Sequence, residues 1–535
     1  MSTLRKQTFW QGAMILVVAN AIVKVIGAIF KIPLTYLIHE DGMGIFNTAY
    51  IMYTWMFVIA TAGLPIAISK MVSESIARNN REEAHKVFKV AFYLLTVIGI
   101  IGTAVLFLGA GFFADLLNNP RANLAIMAVS PALLFVALMS AYRGYFQGLQ
   151  NMIPTAVSEV IEALGKLIIG YLLAFLWLNR GVEYAAAGAV LGVSTGAFLG
   201  AVGLYGIYQV FRGRLFSKKA PIESGKRRSR TVRQILSELV RIAIPITIGA
   251  SVFSLTNVID LVMIMGRLKS IGFDEIEVSA LYGSYSGYAV PLFNLPSTII
   301  VAIVISIVPA IASAYAVNRH MKVQQTTESA LRITVLFALP SAAGLSVLAK
   351  PILQLVYRND GAEQLLSILG LAVAFVCIVL VTNAILQATG RVMVPVRNML
   401  IGGVVKIIVN YVLVGIPDIN INGAPIGTNL CYFIIVVLNL IEVKKVTNVR
   451  YKLFDFLIKP MVAVGSMIIA VLFTYNRLML YTQSNNQATL GAIVVGAAIY
   501  GLMLIAIGAI KKEDLEMMPK GELLLRFLNK LGLMK

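Results

Sequence analysis

The chain has 535 residues, of which 59% are hydrophobic and only 13% charged. Soluble domains carry roughly 25% charged residues, so a water-soluble globular protein is excluded. The formal net charge of +20 would suggest nucleic acid in a soluble domain, but here the basic residues sort by topology. Only Arg121, Arg180, Arg267, Lys269, Lys350, Arg358 and Arg477 fall in one set of predicted loops, while most others occupy the two ends of the chain and the alternate loops. This asymmetry follows the positive-inside rule. It predicts a multi-pass protein with both termini cytoplasmic, an even number of spans and no nucleic-acid partner.

Apolar runs predict about fourteen spans, near 9–38, 43–69, 87–113, 123–147, 154–178, 184–210, 239–266, 279–317, 331–349, 364–388, 396–416, 423–443, 456–475 and 488–510. The first lacks a small-residue cleavage site and reads as a retained span. The eighth is long and contains Pro291, Pro296 and Pro309. It is taken as one bent helix, because splitting it would invert every later loop. Residues 212–238 form a basic linker with Lys218, Lys219, Lys226, Arg227, Arg228 and Arg230. It reads as a topogenic cytoplasmic loop or a contact for anionic membrane lipids. Residues 511–535 place Leu523, Leu524, Phe527, Leu528 and Leu531 on roughly one helical face, as in a surface-lying amphipathic tail.

The linker separates two similar halves. Gln147, Pro154, Lys166 and Tyr171 recur as Gln387, Pro395, Lys406 and Tyr411, and Phe135-Val136 recurs as Phe375-Val376. Six spans precede the linker, so the repeat is parallel. The expected fold is an all-α polytopic membrane protein with an N-lobe at 1–211 and a C-lobe at 239–445. These two six-helix lobes would surround a central cavity, followed by two further helices within 446–510.

No phosphate-cradling loop is present, so no nucleotide site is expected. Cys377 and Cys431 lie in apolar segments and form no metal motif. His39, His85 and His320 fall at predicted loops and read as surface residues. Glu40-Asp41 and Asp274-Glu275-Glu277 read as solvated turns. An enzyme is therefore not expected.

The informative residues are charges inside spans, where an ionised group costs about 2.5–3.5 kcal/mol at a helix centre and tends to mark a transport path. Lys24 and Lys31 are two turns apart on one face and about 10 Å apart along the axis, a spacing suited to a pyrophosphate. The alternative for each, and the easier one for Lys31, is snorkelling to an interface. Glu159, Glu162 and Lys166 share a face, and Glu162 is expected to pair with Lys166 at i+4. That pair either neutralises itself or lets the lysine exchange its carboxylate for a substrate phosphate, and the glutamates are candidate proton carriers. Lys406 is the repeat partner of Lys166, Arg241 lies near the inner end of the seventh span, and Asp260 either binds a coupling cation or pairs with a lysine. The net charge of this set is positive, which selects an anion.

The run Arg143-Gly-Tyr-Phe-Gln-Gly-Leu-Gln-Asn-Met152 with Pro154-Thr-Ala-Val-Ser158 and Glu162 resembles the fourth-to-fifth-helix signature of MurJ/SpoVB-like proteins. Gly63-Leu-Pro-Ile-Ala-Ile-Ser-Lys70 and Glu183-Tyr-Ala-Ala-Ala-Gly188 are similar to the end of their second helix and the start of their sixth. These proteins belong to the multidrug/oligosaccharidyl-lipid/polysaccharide exporter superfamily. The resemblance implies a bacterial cytoplasmic-membrane flippase for undecaprenyl-pyrophosphate-linked sugars, foremost the peptidoglycan precursor lipid II, in growth-phase or spore wall synthesis. It implies alternating access, bends at Pro65, Pro245, Pro291, Pro309 and Pro340, no cofactor, and a reset driven by membrane potential, H+ or Na+. Cell-wall synthesis proteins are implied partners. Lys24 falls where the family has a cavity arginine; the lysine keeps the charge and loses the bidentate fork. A cation-coupled multidrug antiporter and an exporter of another polyprenyl-linked glycan are the competing readings. The antiporter should carry acidic residues in its first helix, where this chain has lysines.

Overall fold

The computed structural model describes residues 9–78, 80–216, 230–449 and 454–509, and all regular structure among them is helical. The tail 511–535 and most of the basic linker lie outside the described residues. Helices answer the bilayer's demand that each backbone polar group be satisfied within its own segment. Eleven helical stretches among the described residues are long and apolar enough to cross a membrane, one of them the 60-residue stretch Val18–Ala77. The chain packs as two compact units, 1–269 with 273–283 and 270–272 with 284–535.

The first unit contains α1 (Phe9–Thr61), α2 (Leu64–Ala77), α3 (Arg81–Leu108), α4 (Ala110–Leu116), α5 (Asn123–Gly148), α6 (Ile153–Gly165), α7 (Tyr171–Trp177), α8 (Val182–Phe216), α9 (Val232–Ser270) and α10 (Glu275–Gly283). The first two expected spans are not separated by a loop. α1 runs through both and kinks at His39, whose φ of 53° is left-handed. It then breaks at residues 62–63, and Pro65 opens α2. Thus Pro65 sits at a helix start, where a missing N–H costs nothing. The lobe boundary expected at the linker is defined by sequence recurrence; by packing, α9 lies with the first six spans.

The two ends of this unit are fastened by charge. At one end Arg121 makes a two-pronged contact with Asp41 (2.7 and 2.8 Å) and a third bond to Glu183 at 2.8 Å. Asp41 is therefore an ion-pair partner and not a solvated turn residue. Asp274 and Glu277 do form an exposed turn, each accepting the other's backbone N–H (2.8 and 3.0 Å), a reciprocal cap that starts α10. At the opposite end Arg230 of the linker lies 3.2–3.3 Å from Glu74, Glu83 and Glu238 of α2, α3 and α9. Lys86 donates to its carbonyl at 2.6 Å. His85, expected at the surface, is half-buried and stacked on Tyr208; His39 and His320 are exposed.

The second unit contains α11 (Val290–Ala316), α12 (His320–Val347), α13 (Ala349–Tyr357), α14 (Glu363–Ala388), α15 (Met393–Leu413), α16 (Gly423–Thr447), α17 (Lys459–Thr482) and α18 (Asn485–Ala506). A π-helical turn at Ser284–Ala289 leads from α10 into α11, so the expected eighth span is continuously helical. Pro245 and Pro340 lie inside α9 and α12. The last two helices dock on α12 and α13: Tyr500 donates to the Leu336 carbonyl at 2.7 Å and Asn485 to that of Pro351 at 3.1 Å. Both cysteines are buried and unbridged.

Candidate functional site

The site in the first unit is positioned by close packing of α6 and α7 on α8. A Cβ on Gly192 would overlap the Gly170 backbone, and one on Gly196 would overlap the Glu162 carbonyl. Small residues let helices approach in this way where lipid supplies no hydrophobic drive between them. The helix also changes register here. Residues Lys166–Gly170 form a π-helical turn between α6 and α7, a local widening that re-aims side chains and recurs at functional sites.

Lys166 is the first residue of that turn. Its ammonium lies 4.5 Å from the Tyr50 ring centroid, 5.1 Å from Phe30 and 6.0 Å from Phe46, all on α1. Phe46 stacks on Tyr50 at 5.8 Å, and Phe30 meets Phe46 at 6.0 Å. A cation among aromatic faces gains about 0.5–2 kcal/mol, more as water is excluded. Among the described residues no carboxylate lies within 4 Å of Lys166. Glu162 instead pairs with Arg143 of α5 at 2.9 Å, and Arg143 also donates to the Ser158 hydroxyl at 3.0 Å. The expected Glu162–Lys166 pair is thus replaced by Glu162–Arg143. The Arg143 guanidinium takes the carboxylate, and the aromatic rings of α1 take the ammonium.

Lys31 follows Phe30 on α1, is half-buried, and is near enough to Lys166 for the two charges to repel. Glu159 is half-buried within the fields of Arg143 and Glu162, and its Oε2 is enclosed with no hydrogen-bond partner. The structure therefore gathers Lys31, Lys166, Glu159 and Glu162 on α1 and α6, with Arg143 and an aromatic wall. Lys24 is exposed, one face along α1. Arg241 is exposed and Asp260 half-buried, both on α9. Lys406 is half-buried on α15 in the second unit.

Arg143 and the aromatic wall are the functional residues that counting charges in spans overlooks. Both left a trace. Arg143 opens the motif run quoted above, and Phe46, Tyr50, Tyr53 and Phe57 follow one another at three- and four-residue spacing, one stripe of a helix.

An all-helical chain with repeated membrane-length apolar helices and cations enclosed among them is a multi-pass membrane transporter. Sequence comparison gives the lineage. The polysaccharide biosynthesis protein family matches residues 9–315, and MatE matches residues 245–412. The chain belongs to the polysaccharide biosynthesis protein family, within the multidrug/oligosaccharidyl-lipid/polysaccharide exporter superfamily. It is 26% identical to the stage V sporulation protein B of Bacillus subtilis (strain 168), over 98% of this chain and 100% of the relative. It is also 26% identical to the lipid II flippase MurJ of that organism, over 93% of this chain and 94% of the relative. A solved structure of lipid II flippase MurJ in an inward closed conformation superposes with a TM-score of 0.67 at 15% identity, covering 91% of this chain and 97% of that one. The shared fold is thereby established.

Proposed function

We propose that this protein flips an undecaprenyl-pyrophosphate-linked sugar, foremost lipid II, from the inner to the outer leaflet of the bacterial cytoplasmic membrane by alternating access. The observation that carries the reading is the Lys166 ammonium, at the start of the π turn, held 4.5 Å from the Tyr50 ring and 5.1 Å from that of Phe30, the α1 residue next to Lys31. Glu162, the carboxylate four residues before Lys166, is already neutralised by Arg143. Two like charges held together inside a membrane-spanning unit repel one another, and an anion between them removes that cost. A pyrophosphate has the charge and the reach to bridge them. Lys24, exposed on the same helix, would receive the headgroup first. The aromatic wall offers flat apolar faces against which sugar rings pack. Membrane potential, or H+ or Na+ acting at Glu159 or Asp260, would drive the return. The relatives named for lipid II flipping and sporulation support the same substrate class.

The MatE match over 245–412 supports a second reading, a cation-coupled drug antiporter. Native mass spectrometry of the purified protein with lipid II, undecaprenyl pyrophosphate and a cationic dye separates the two. Retention of both lipids, weakened about tenfold by Lys166→Ala as expected for loss of one charge-assisted contact, supports the flippase. Retention of the dye with indifference to the lipids overturns it.

A further inference from the structure

A second cavity lies in the first unit, away from the lysines. It has a volume of about 390 Å³ and is bounded by Phe107, Leu124, Met127, Pro131, Trp177 and Arg180, with Tyr184 and Leu191 completing its wall. These residues come from the end of α3, the start of α5, the end of α7 and the start of α8. The cavity is therefore at the same end of the unit as the Arg121–Asp41–Glu183 cluster. Small-molecule sites run from about 300 to 1,000 Å³, so this one accepts an apolar chain and little else.

Three features identify the occupant. First, the residues that precede or follow the lining residues Phe107 and Trp177 in the chain are apolar and exposed: Leu108 (83%), and Phe175 and Leu176 (57% each). Such a surface belongs against lipid tails and not water, so the cavity opens sideways into the bilayer. Second, Trp177 and Tyr184 border it, the two side chains that collect at the headgroup level of a membrane. Third, Arg180 is its one charged lining residue. Arg180 is exposed and has no carboxylate within 4 Å among the described residues; nearby Glu183 is taken by Arg121 at 2.8 Å. A guanidinium at the mouth of an apolar pocket, at headgroup depth, matches a phosphate ester with an acyl chain.

We infer that this cavity holds one acyl chain of an anionic glycerophospholipid, with its phosphate on Arg180, as a structural lipid of the first unit. The site is separate from the lysines of the proposed transport path, and its test does not depend on that proposal. The full-length protein in detergent is presented to native mass spectrometry with phosphatidylglycerol and with phosphatidylcholine of the same chains. Phosphatidylglycerol is expected to be retained preferentially, and Arg180→Gln to weaken its retention about tenfold, the loss expected for a hydrogen bond to a charged group. Arg180 is exposed, so that variant folds. Leu124→Trp, which fills the cavity from its half-buried wall, is expected to abolish preferential retention. Equal retention of the two lipids, or phosphatidylglycerol binding unchanged in Arg180→Gln, overturns the inference. If Leu124→Trp does not fold, Arg180→Gln decides alone.

Discussion

The two halves of the chain solve one problem with opposite chemistry. In the first half, Arg143 on α5 bridges to Ser158 and Glu162 on α6. In the second, the positions related by the sequence repeat are Asn383 for Arg143 and Asn398 for Ser158. There Asn439 of α16 accepts from Asn398 at 2.8 Å and donates to Asn383 at 2.8 Å and to Thr382 at 2.9 Å. The first arrangement ties three polar side chains together inside an apolar bundle and the second ties four. One is ionic and leaves cations alongside, at Lys166 and Lys31. The other is amide and hydroxyl at its centre, with the Arg397 guanidinium donating to the Asn398 Oδ1 at 3.3 Å from its edge. Both halves thus carry polar cross-links inside the bundle, and under the proposed function the lysines beside the first of them serve a substrate anion.

The comparison predicts a ranked set of losses. Arg143→Ala should be the most severe, because it strands Glu162 in a largely enclosed position beside Glu159. Breaking one side of a buried pair costs about 3–5 kcal/mol. Thermal unfolding in detergent should show a large drop, and Arg143→Ala/Glu162→Gln should recover part of it. A double variant no more stable than the single one would remove the ionic account. Asn439→Ala should cost less, about 1–3 kcal/mol for stranded neutral partners. If it equals Arg143→Ala, the contrast between halves fails. Gly192→Val should overpack α8 against Gly170 and lower stability by about 1–3 kcal/mol, read from the same unfolding curves. Lys166→Met should barely lower stability, since it forfeits only a cation–π contact of about 0.5–2 kcal/mol and relieves repulsion with Lys31. It should nonetheless abolish anion-dependent retention, whereas Lys406→Met should weaken it far less. Equal effects of the two lysine variants would make the halves functionally equivalent.

The smallest effect is expected at the staple of Asp41, Arg121 and Glu183. Its side chains are roughly 20–40% exposed, and exposed ion pairs are worth about 0–1 kcal/mol, with somewhat more here for the two-pronged geometry. Arg121→Gln should shift the unfolding midpoint by only a degree or two. A large shift would mean that the three segments it joins form a rigid closure.

Much of the fold was legible from residues alone. Apolar runs located the helices, and recurrence of Gln147, Pro154 and Lys166 as Gln387, Pro395 and Lys406 located the repeat. Single-residue features were harder. The first two expected spans meet directly at His39, whose non-helical backbone (φ 53°, ψ −163°) makes the turn in a single residue where a loop was expected. At the site, helical spacing put Glu159, Glu162 and Lys166 on one face, and the structure keeps the two glutamates together around Arg143. Lys166 meets instead the rings of Phe30, Phe46 and Tyr50 on α1, contacts between helices that the spacing of charges on one helix does not register.

The sequence by itself determined the class of protein, the apolar helices and the excess of cations in spans, because hydropathy and helical period are local quantities set by each segment's own composition. Tertiary structure decided which carboxylate each cation meets, that Lys166 rests on an aromatic wall, that Arg230 of the linker lies among three glutamates, and that an apolar cavity closes behind Arg180. Those outcomes depend on the register between helices tens of residues apart, which is fixed by backbone contacts such as Gly170 against Gly192. That register is not encoded in the spacing of charges along a single helix.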